Sequence, residues 1–356
     1  MTRPVITGTG SYIPGVIVSN DSFLQSEFFE KDGKKINKSN KAIIDKLTTI
    51  TGIHERRYAN SDQNTSDLAF YASLKAIESA GIDKETLDYI IVAHNFGDVA
   101  FGTNRSSMVP TLATRVKALL GIQNPDCVAY DLPFGCPGWI EGVIQAKYFI
   151  NSGDAKRCLV IGAETLSRVT DPHDRDAMIF GDGAGAAIIE ASTVVNRGIL
   201  AHKTQTHAAE YSTALDMGPS CSPQAADKDN LYLKMEGRKV YEFALTHVPA
   251  LIKSTLDKAG VSIDAVRKVL IHQANEKMDL AILTRLFELY NHTQVPDNIM
   301  PMTIDRFGNS SVATVPTLLD LLVRDELNGH TVQEGDIIVF ASVGAGMNIN
   351  AIVYRI

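Results

Sequence analysis

The sequence predicts an α/β protein with covered sheets, built as one fold made twice. Two observations carry this. Short β-branched runs alternate with segments of helical hydrophobic period through most of the 356 residues, the pattern of sheets covered by helices. A group of features also recurs at one spacing. Ala80-Gly81-Ile82, a polar turn and Leu87-Asp88-Tyr89-Ile90-Ile91-Val92 match Ala259-Gly260-Val261, a polar turn and Val266-Arg267-Lys268-Val269-Leu270-Ile271, which carries position 80 onto 259, an offset of 179. The same offset carries Pro137 onto Pro316, each heading an apolar helix, and Leu159-Val160-Ile161 onto Ile338-Val339-Phe340. Three coincidences at one offset point to a duplicated half, with residues 1–191 as the first half and 192–356 as the second.

The elements follow in order. Residues 67–80 have helical period and stop at Gly81, a usual C-terminal cap. Residues 89–93 form a buried strand, 108–120 a helix, and 127–129 an apolar stretch leading to a turn. Pro137 suits the first turn of a helix over 137–151, because its missing N–H has no partner to lose there. Strands over 158–162 and 186–190 complete the first half. The second half reads as a helix over 240–259, a strand over 269–271, a helix over 315–327 with Pro316 in its first turn, and strands over 337–341 and 349–354.

Composition bounds the function. The chain is 45% hydrophobic and 21% charged, with 26 Gly and 13 Pro, which are globular values that exclude disorder and collagen-like repeats. Its 34 Lys+Arg against 41 Asp+Glu give a net charge of −7, so a general nucleic-acid binder is not expected. No run approaches the roughly 20 apolar residues of a membrane span, and the start, Met-Thr-Arg-Pro, has no signal-peptide core. Cys127, Cys136, Cys158 and Cys221 have neither CxxC spacing nor a His-rich neighbourhood. The expectation is a cytoplasmic protein with no metal and no disulfide framework.

Chemistry is carried by a few short stretches. Asp131-Leu-Pro-Phe-Gly-Cys136-Pro-Gly-Trp139 places Cys136 at a strand-to-helix turn. The helix N-terminus would there lower the thiol pKa and make Cys136 a nucleophile; the alternative is a buried structural thiol. His272, in Ile271-His-Gln-Ala-Asn275, ends a strand at the sheet edge where α/β folds bind ligands, and is otherwise an ordinary edge histidine. Phe307-Gly-Asn309-Ser-Ser311 is a glycine-hinged turn that either presents Asn309 or merely caps a helix. Ile179-Phe-Gly-Asp-Gly-Ala-Gly185 has the glycines of a phosphate loop, but a strand follows it instead of a helix, so close backbone packing is expected. The turn Gly344-Ala345-Gly346 can offer a backbone N–H to a developing oxyanion.

Cys136, His272, Asn309 and a glycine-rich C-terminal turn, in this order, resemble the β-ketoacyl-acyl carrier protein synthase III family of the thiolase superfamily. The resemblance covers essentially the whole chain. It extends to Thr51-Gly-Ile-His-Glu-Arg56, Asp171-Pro-His-Asp-Arg175, Phe180-Gly-Asp-Gly-Ala-Gly185, His272-Gln-Ala-Asn275 and Gly308-Asn-Ser-Ser311. It implies a five-layered α-β-α-β-α fold, internally duplicated, and a homodimer. It implies a decarboxylating condensation of an acyl primer with malonyl-acyl carrier protein, with no cofactor beyond coenzyme A or carrier-protein thioesters. Cys136 would accept the acyl group, His272 and Asn309 would hold the malonyl thioester carbonyl, and the N–H groups of Cys136 and Ala345 would form the oxyanion hole.

Departures from the family pattern concern the substrate. A tryptophan and an arginine that clamp the coenzyme A adenine are replaced by Lys46 and Ile50, leaving Arg175. Val109 stands where a phenylalanine caps the neighbouring subunit's acyl pocket, and the loop over 97–108 is longer than usual, so a primer larger than acetyl is expected. Pro137 follows the nucleophile where a small residue is commoner. Arg238 replaces an asparagine at the pantetheine, Asn275 is retained, and Lys277 takes the place of an arginine that docks the carrier, with Arg285 extending the patch. Two other readings are weighed. A non-decarboxylating acyltransferase or hydroxymethylglutaryl-coenzyme A synthase-like enzyme would need an acid near the nucleophile, and Asp131, Glu141 and Glu164 lack the expected spacing. A catalytically silent partner subunit would not keep Cys136, His272 and Asn309.

Overall fold

A computed structural model describes residues 3–194, 197–226 and 228–356; positions 1 and 2 of the first half and 195, 196 and 227 of the second lie outside the described residues. The first sheet contains β1 (Arg3–Tyr12), β4 (Tyr89–His94), β7 (Val128–Pro133), β8 (Arg157–Thr165) and β9 (Asp182–Ser192), in the order β1-β9-β8-β4-β7. Two short antiparallel pairs flank it, β2 (Val16–Ser19) with β3 (Glu55–Tyr58) and β5 (Asp98–Val99) with β6 (Ser106–Ser107). The second sheet has β10 (Gly198–Thr206), β13 (Val266–Ile271), β14 (Ile337–Gly344) and β15 (Asn348–Arg355), in the order β10-β15-β14-β13. An antiparallel pair of β11 (Leu215–Gly218) and β12 (Tyr232–Met235) lies between β10 and β13 in sequence.

In both sheets an antiparallel pair precedes a parallel one: β9 runs antiparallel to β1 and β8 while β4 runs parallel to β8, and β15 runs antiparallel to β10 and β14 while β13 runs parallel to β14. The fifth place, held by β7 in the first sheet, is marked in the second by the backbone N–H of Val269 donating to Ile299 O at 2.9 Å.

Side chains alternate across each strand, and the alternation sorts the core into layers. Ile90, Val92, Leu159, Ile161, Ala186 and Ile188 face α2 (Thr65–Ala80) and α3 (Leu112–Leu119). Their neighbours Ile91, Ala93, Val160, Ala187 and Ile189 face the other way, onto α4 (Gly138–Ser152) and α9 (Thr314–Val323), which also receive Leu270, Ile338, Phe340 and Ile352 of the second sheet. Val269, Ile271, Val339, Ala341, Ala351 and Val353 face α6 (Gly237–Ala259) and α7 (Glu276–Glu288) on the far side. The layers are thus helix, sheet, helix, sheet, helix. The helices α1 (Asn40–Thr51), α5 (Ala208–Tyr211) and α8 (Ile304–Phe307) lie outside this stack.

Polar bonds join the halves through the middle layer. Asp320 of α9, fully buried, accepts from Thr9 Oγ1 at 2.9 Å and Ser11 Oγ at 2.6 Å on β1. Tyr354 Oη accepts from the Ile6 N–H at 2.8 Å.

Some boundaries differ from the sequence expectation. The helix expected over 108–120 starts only at Leu112, because a proline at 110 disfavours helical conformation in the residue before it and Thr111 caps the helix by accepting from the Thr114 N–H. The helix expected over 315–327 ends at Val323. The expected strands sit inside longer ones. β1 is a strand that the sequence pattern conceals: methyl groups on Gly8 and Gly10 would lie 2.4 Å from the carbonyl oxygens of Ala76 and Ala72, so these glycines exist to let α2 press on the sheet.

Candidate active site

The carboxyl ends of β4, β7, β8, β13 and β14 converge on one cavity, as the topology of an α/β sheet favours. Its polar wall is built from both halves: Asn95, Gly135 and Cys136 from the first, and His272, Asn309, Ser311, Gly344 and Ala345 from the second. The volume is about 240 Å³. The opposite wall is apolar, with Leu166 and Phe180, and with Leu215, Met217, Leu233 and Met235 contributed by the β11–β12 pair.

Cys136 follows β7 through a turn at Gly135, whose φ of 68° is left-handed, and immediately precedes Pro137 and α4. The sulfur accepts a hydrogen bond from Ser311 Oγ at 3.2 Å. The expected lowering of the thiol pKa is not what the structure gives. Cys136 keeps some surface open to the cavity, but the protein packed around its sulfur pushes the thiol up to about 11; the Ser311 hydrogen bond lowers it and the nearby Glu164 charge raises it. Desolvation is the largest of these influences.

His272 sits one residue past β13, tied to the neighbouring strand by its N–H to Ala341 O at 2.9 Å. It is 2% exposed, and burial lowers its pKa to about 4, so the ring is neutral at pH 7. Its Nδ1 has no hydrogen-bond partner among the described residues. Asn309 is clamped by its backbone to the first half: its N–H donates to Ile179 O at 2.8 Å and its carbonyl accepts from the Gly181 N–H at 2.9 Å. Its Oδ1 accepts from the Ser311 N–H at 2.8 Å, which leaves the amide NH₂ as the group available to the cavity. Two glycines of 179–185 serve close packing, as expected: a methyl on Gly181 would lie 2.4 Å from Phe307 O and one on Gly185 2.7 Å from Cβ of Pro316.

A second cavity of about 410 Å³ shares Met235, Val240, Ala274 and Met278 with the first and continues it outward. Its wall brings together Lys46 and Ile50 of α1 with Arg175, Arg238 and Asn275. Arg175 pairs with Glu30 at 3.5 Å and remains half exposed. Arg238 is exposed and pairs with Glu242 at 2.8 Å, and Asn275 caps α7 by accepting from the Met278 N–H at 3.1 Å. Lys277 is exposed on α7, outside both linings, and Arg285 donates to Leu245 O at 3.1 Å. Val109 is 89% exposed and also lies outside both linings.

Asn95 is absent from the sequence reading, which gives Ser311 no role beyond its turn and weighs Glu164 only as an acid without the expected spacing. Asn95 Nδ2 donates to Ser311 Oγ at 3.2 Å, and its backbone N–H donates to the fully buried Glu164 carboxyl. Burial pushes Glu164 up to about 7. Beside them His94 accepts from the Gly97 N–H on Nδ1, so Nε2 donates to Asp131 at 2.9 Å. The carboxyl-edge rule that found His272, applied to β4 and β8, points to Asn95 and Glu164. No group of three or more His, Cys, Asp or Glu able to hold a metal occurs among the described residues, and no described helix is long and apolar enough to cross a membrane.

A five-layered duplicated fold with its site at the carboxyl edges of both sheets is that of the thiolase-type condensing enzymes. Two family profiles match, 3-oxoacyl-[acyl-carrier-protein] synthase III over residues 130–208 and its C-terminal domain over 256–356. The chain belongs to the 3-oxoacyl-[acyl-carrier-protein] synthase III family. It is 34% identical to the β-ketoacyl-[acyl-carrier-protein] synthase III of Erythrobacter litoralis, with all of both chains covered, and 36% identical to synthase III 1 of Vibrio vulnificus over 98% of each. Among solved structures, the Thermus thermophilus synthase III superposes with a TM-score of 0.81 at 31% identity, covering 99% of this chain and 98% of that one. The priming β-ketosynthase of the R1128 polyketide pathway also gives 0.81, at 26% identity, covering 99% and 96%.

Proposed function

We propose that the protein performs a decarboxylating Claisen condensation, in which an acyl primer carried on Cys136 is joined to malonyl-acyl carrier protein. The carrying observation is the convergence of Cys136, His272 and Asn309 on one cavity that shares a wall with a second, larger one. The primer thioester enters through the second cavity and its acyl group passes to Cys136, lodging among Leu215, Met217, Leu233 and Met235. The departing thiol makes room for the malonyl thioester, which gives ping-pong kinetics. When carbon dioxide leaves, negative charge collects on the thioester oxygen. Neutral His272, through an N–H, and the Asn309 amide hold that oxygen away from water, and no strong base is required. The N–H groups of Cys136 and Ala345 hold the oxyanion formed when the carbanion attacks the acyl-Cys136 carbonyl.

The two sequence halves, 1–191 and 192–356, are in this reading a duplicated unit that works only as a pair. Lys46, Arg175, Arg238 and Asn275 line the path of the thioester arm, while exposed Lys277 meets an acidic carrier protein. Val109, exposed on one subunit, serves the pocket of the other in a cytoplasmic homodimer. Thioesters supply all the chemistry, with no resident cofactor. A non-decarboxylating reaction would ask for a buried acid at the cavity wall; Glu164 lies behind Asn95 instead, and the acid that does line the cavity, Asp216, is exposed on β11. Intact mass of the protein after incubation with primers of increasing length, as coenzyme A and as carrier-protein thioesters, tests the proposal. Acyl mass on Cys136 is expected; no acyl mass with any primer overturns it.

A further inference from the structure

We infer that Ser311 is a further catalytic residue, whose hydroxyl donates to the Cys136 sulfur and stabilises the thiolate that attacks the primer. The inference rests on Cys136 being the acyl acceptor. Three observations carry it. Ser311 Oγ lies 3.2 Å from Cys136 Sγ, within reach of a hydrogen bond to sulfur. Asn95 Nδ2 donates to the same oxygen at 3.2 Å, which occupies a lone pair and leaves the hydroxyl hydrogen for the sulfur. Ser311 also holds a φ of 52°, a left-handed conformation uncommon for a residue with a side chain. Such a conformation persists where the surroundings over-determine it, and at functional sites in particular.

The arrangement is a directed chain. Glu164 accepts from the Asn95 backbone and fixes where that residue lies; the Asn95 amide orients the Ser311 hydroxyl; the hydroxyl points at the nucleophile. Through its backbone, Ser311 simultaneously fixes the Asn309 amide. One residue therefore serves the acyl-accepting and the decarboxylating groups together. The need for a donor is plain from the site: the sulfur is surrounded by protein and has a carboxyl nearby, and both disfavour the thiolate. In the acylation step the Cys136 S–H bond breaks, a bond from sulfur to the acyl carbon forms, the donor C–S bond breaks, and the proton ends on the departing thiol. The Ser311 hydroxyl keeps its own proton throughout.

The test is the rate of Cys136 alkylation by iodoacetamide at pH 8, followed at the peptide level by mass spectrometry, in wild type, Ser311→Gly, Ser311→Ala and Asn95→Ala. Glycine suits the left-handed backbone better than serine does. A purely conformational role for Ser311 thus predicts a Ser311→Gly protein at least as reactive as wild type, and a loosened site predicts faster alkylation. The hydroxyl role predicts alkylation slower by about ten- to a hundredfold in both Ser311 variants, the size of a hydrogen bond to a charged group, with a smaller loss in Asn95→Ala. A Ser311→Gly rate equal to or above wild type overturns the inference. Because iodoacetamide needs no substrate site, this result is independent of primer identity; failure of wild-type self-acylation by every thioester would instead overturn the proposed function.

Discussion

A methyl group placed on Gly344 would lie 2.5 Å from the backbone nitrogen of Cys136 and 2.7 Å from Cδ of Pro137. The turn that carries Ala345 is thus pressed against the start of the nucleophile's helix, with no room for a side chain between them. Gly344→Ala should displace Cys136, Ala345 or both, and lower the rate of self-acylation by about a hundredfold, the penalty typical of a misplacement near 1 Å. Acylation followed by mass spectrometry, with circular dichroism to verify the fold, checks this; a loss under threefold would mean that the two loops slide without consequence.

His272→Asn separates the two half-reactions. Carbon dioxide release from malonyl thioester should fall by two to three orders of magnitude, roughly the value of one oxyanion donor, while acylation of Cys136 continues at a measurable rate. Equal loss of both would remove the division of roles proposed for His272 and Cys136.

Glu164→Gln should stabilise the protein in alkali. The Glu164 carboxyl rises from 4.5 to about 7 on folding, so the folded chain holds a proton that the unfolded chain has released. Its contribution is intact below pH 4.5 and is lost as pH rises through 7. Glutamine mimics the protonated form, and the variant should gain about 2–3 kcal/mol at pH 9 and little at pH 5. Urea unfolding at the two pH values gives the comparison. Removing the charge near the sulfur should also lower the Cys136 thiol pKa.

Asp320→Ala leaves Thr9 and Ser11 without their buried acceptor and deprives Arg324 of a partner at 3.4 Å. The expected cost is about 2–4 kcal/mol, visible as a fall in melting temperature. A shift within 1 °C would show that the sheets are held by apolar packing alone.

Lys46→Trp restores an aromatic face beside Arg175 in the outer cavity. Stacking of this kind contributes roughly 0.5–1.5 kcal/mol, so KM for a coenzyme A primer should fall about two- to tenfold while KM for the same primer on carrier protein stays put. An equal change for both donors would place the adenine elsewhere.

Much of this fold was legible because both kinds of signal agreed. Pro137 and Pro316 sit at or near the first turns of α4 and α9, and strands rich in Ile and Val announced the buried sheet centres. β1 was not legible, since Thr7-Gly8-Thr9-Gly10 looks like a loop until α2 is seen lying against it. The β11–β12 pair escaped too; its residues are half-buried, and a short pair of strands covering a cavity has neither a core face nor a strong turn signature. Motif order led to Cys136, His272, Asn309 and Ala345, which line one cavity. The direction of the Cys136 pKa was not legible, because a helix terminus shows in sequence and burial by distant segments does not. The same is true of Ser311, whose partner Cys136 is supplied by the other half.

The interior position of β15, between β10 and β14, has a consequence for the order of assembly. Synthesis proceeds from the N-terminus, so Cys136 emerges long before the turn at Ala345 and the strand that anchors it. Until those residues arrive, the second sheet lacks one of its inner strands and the nucleophile lacks one wall. On the proposed function, a ribosome-bound chain is therefore expected to lack a complete acyl-accepting site until the strand Asn348–Arg355 takes its place between β10 and β14.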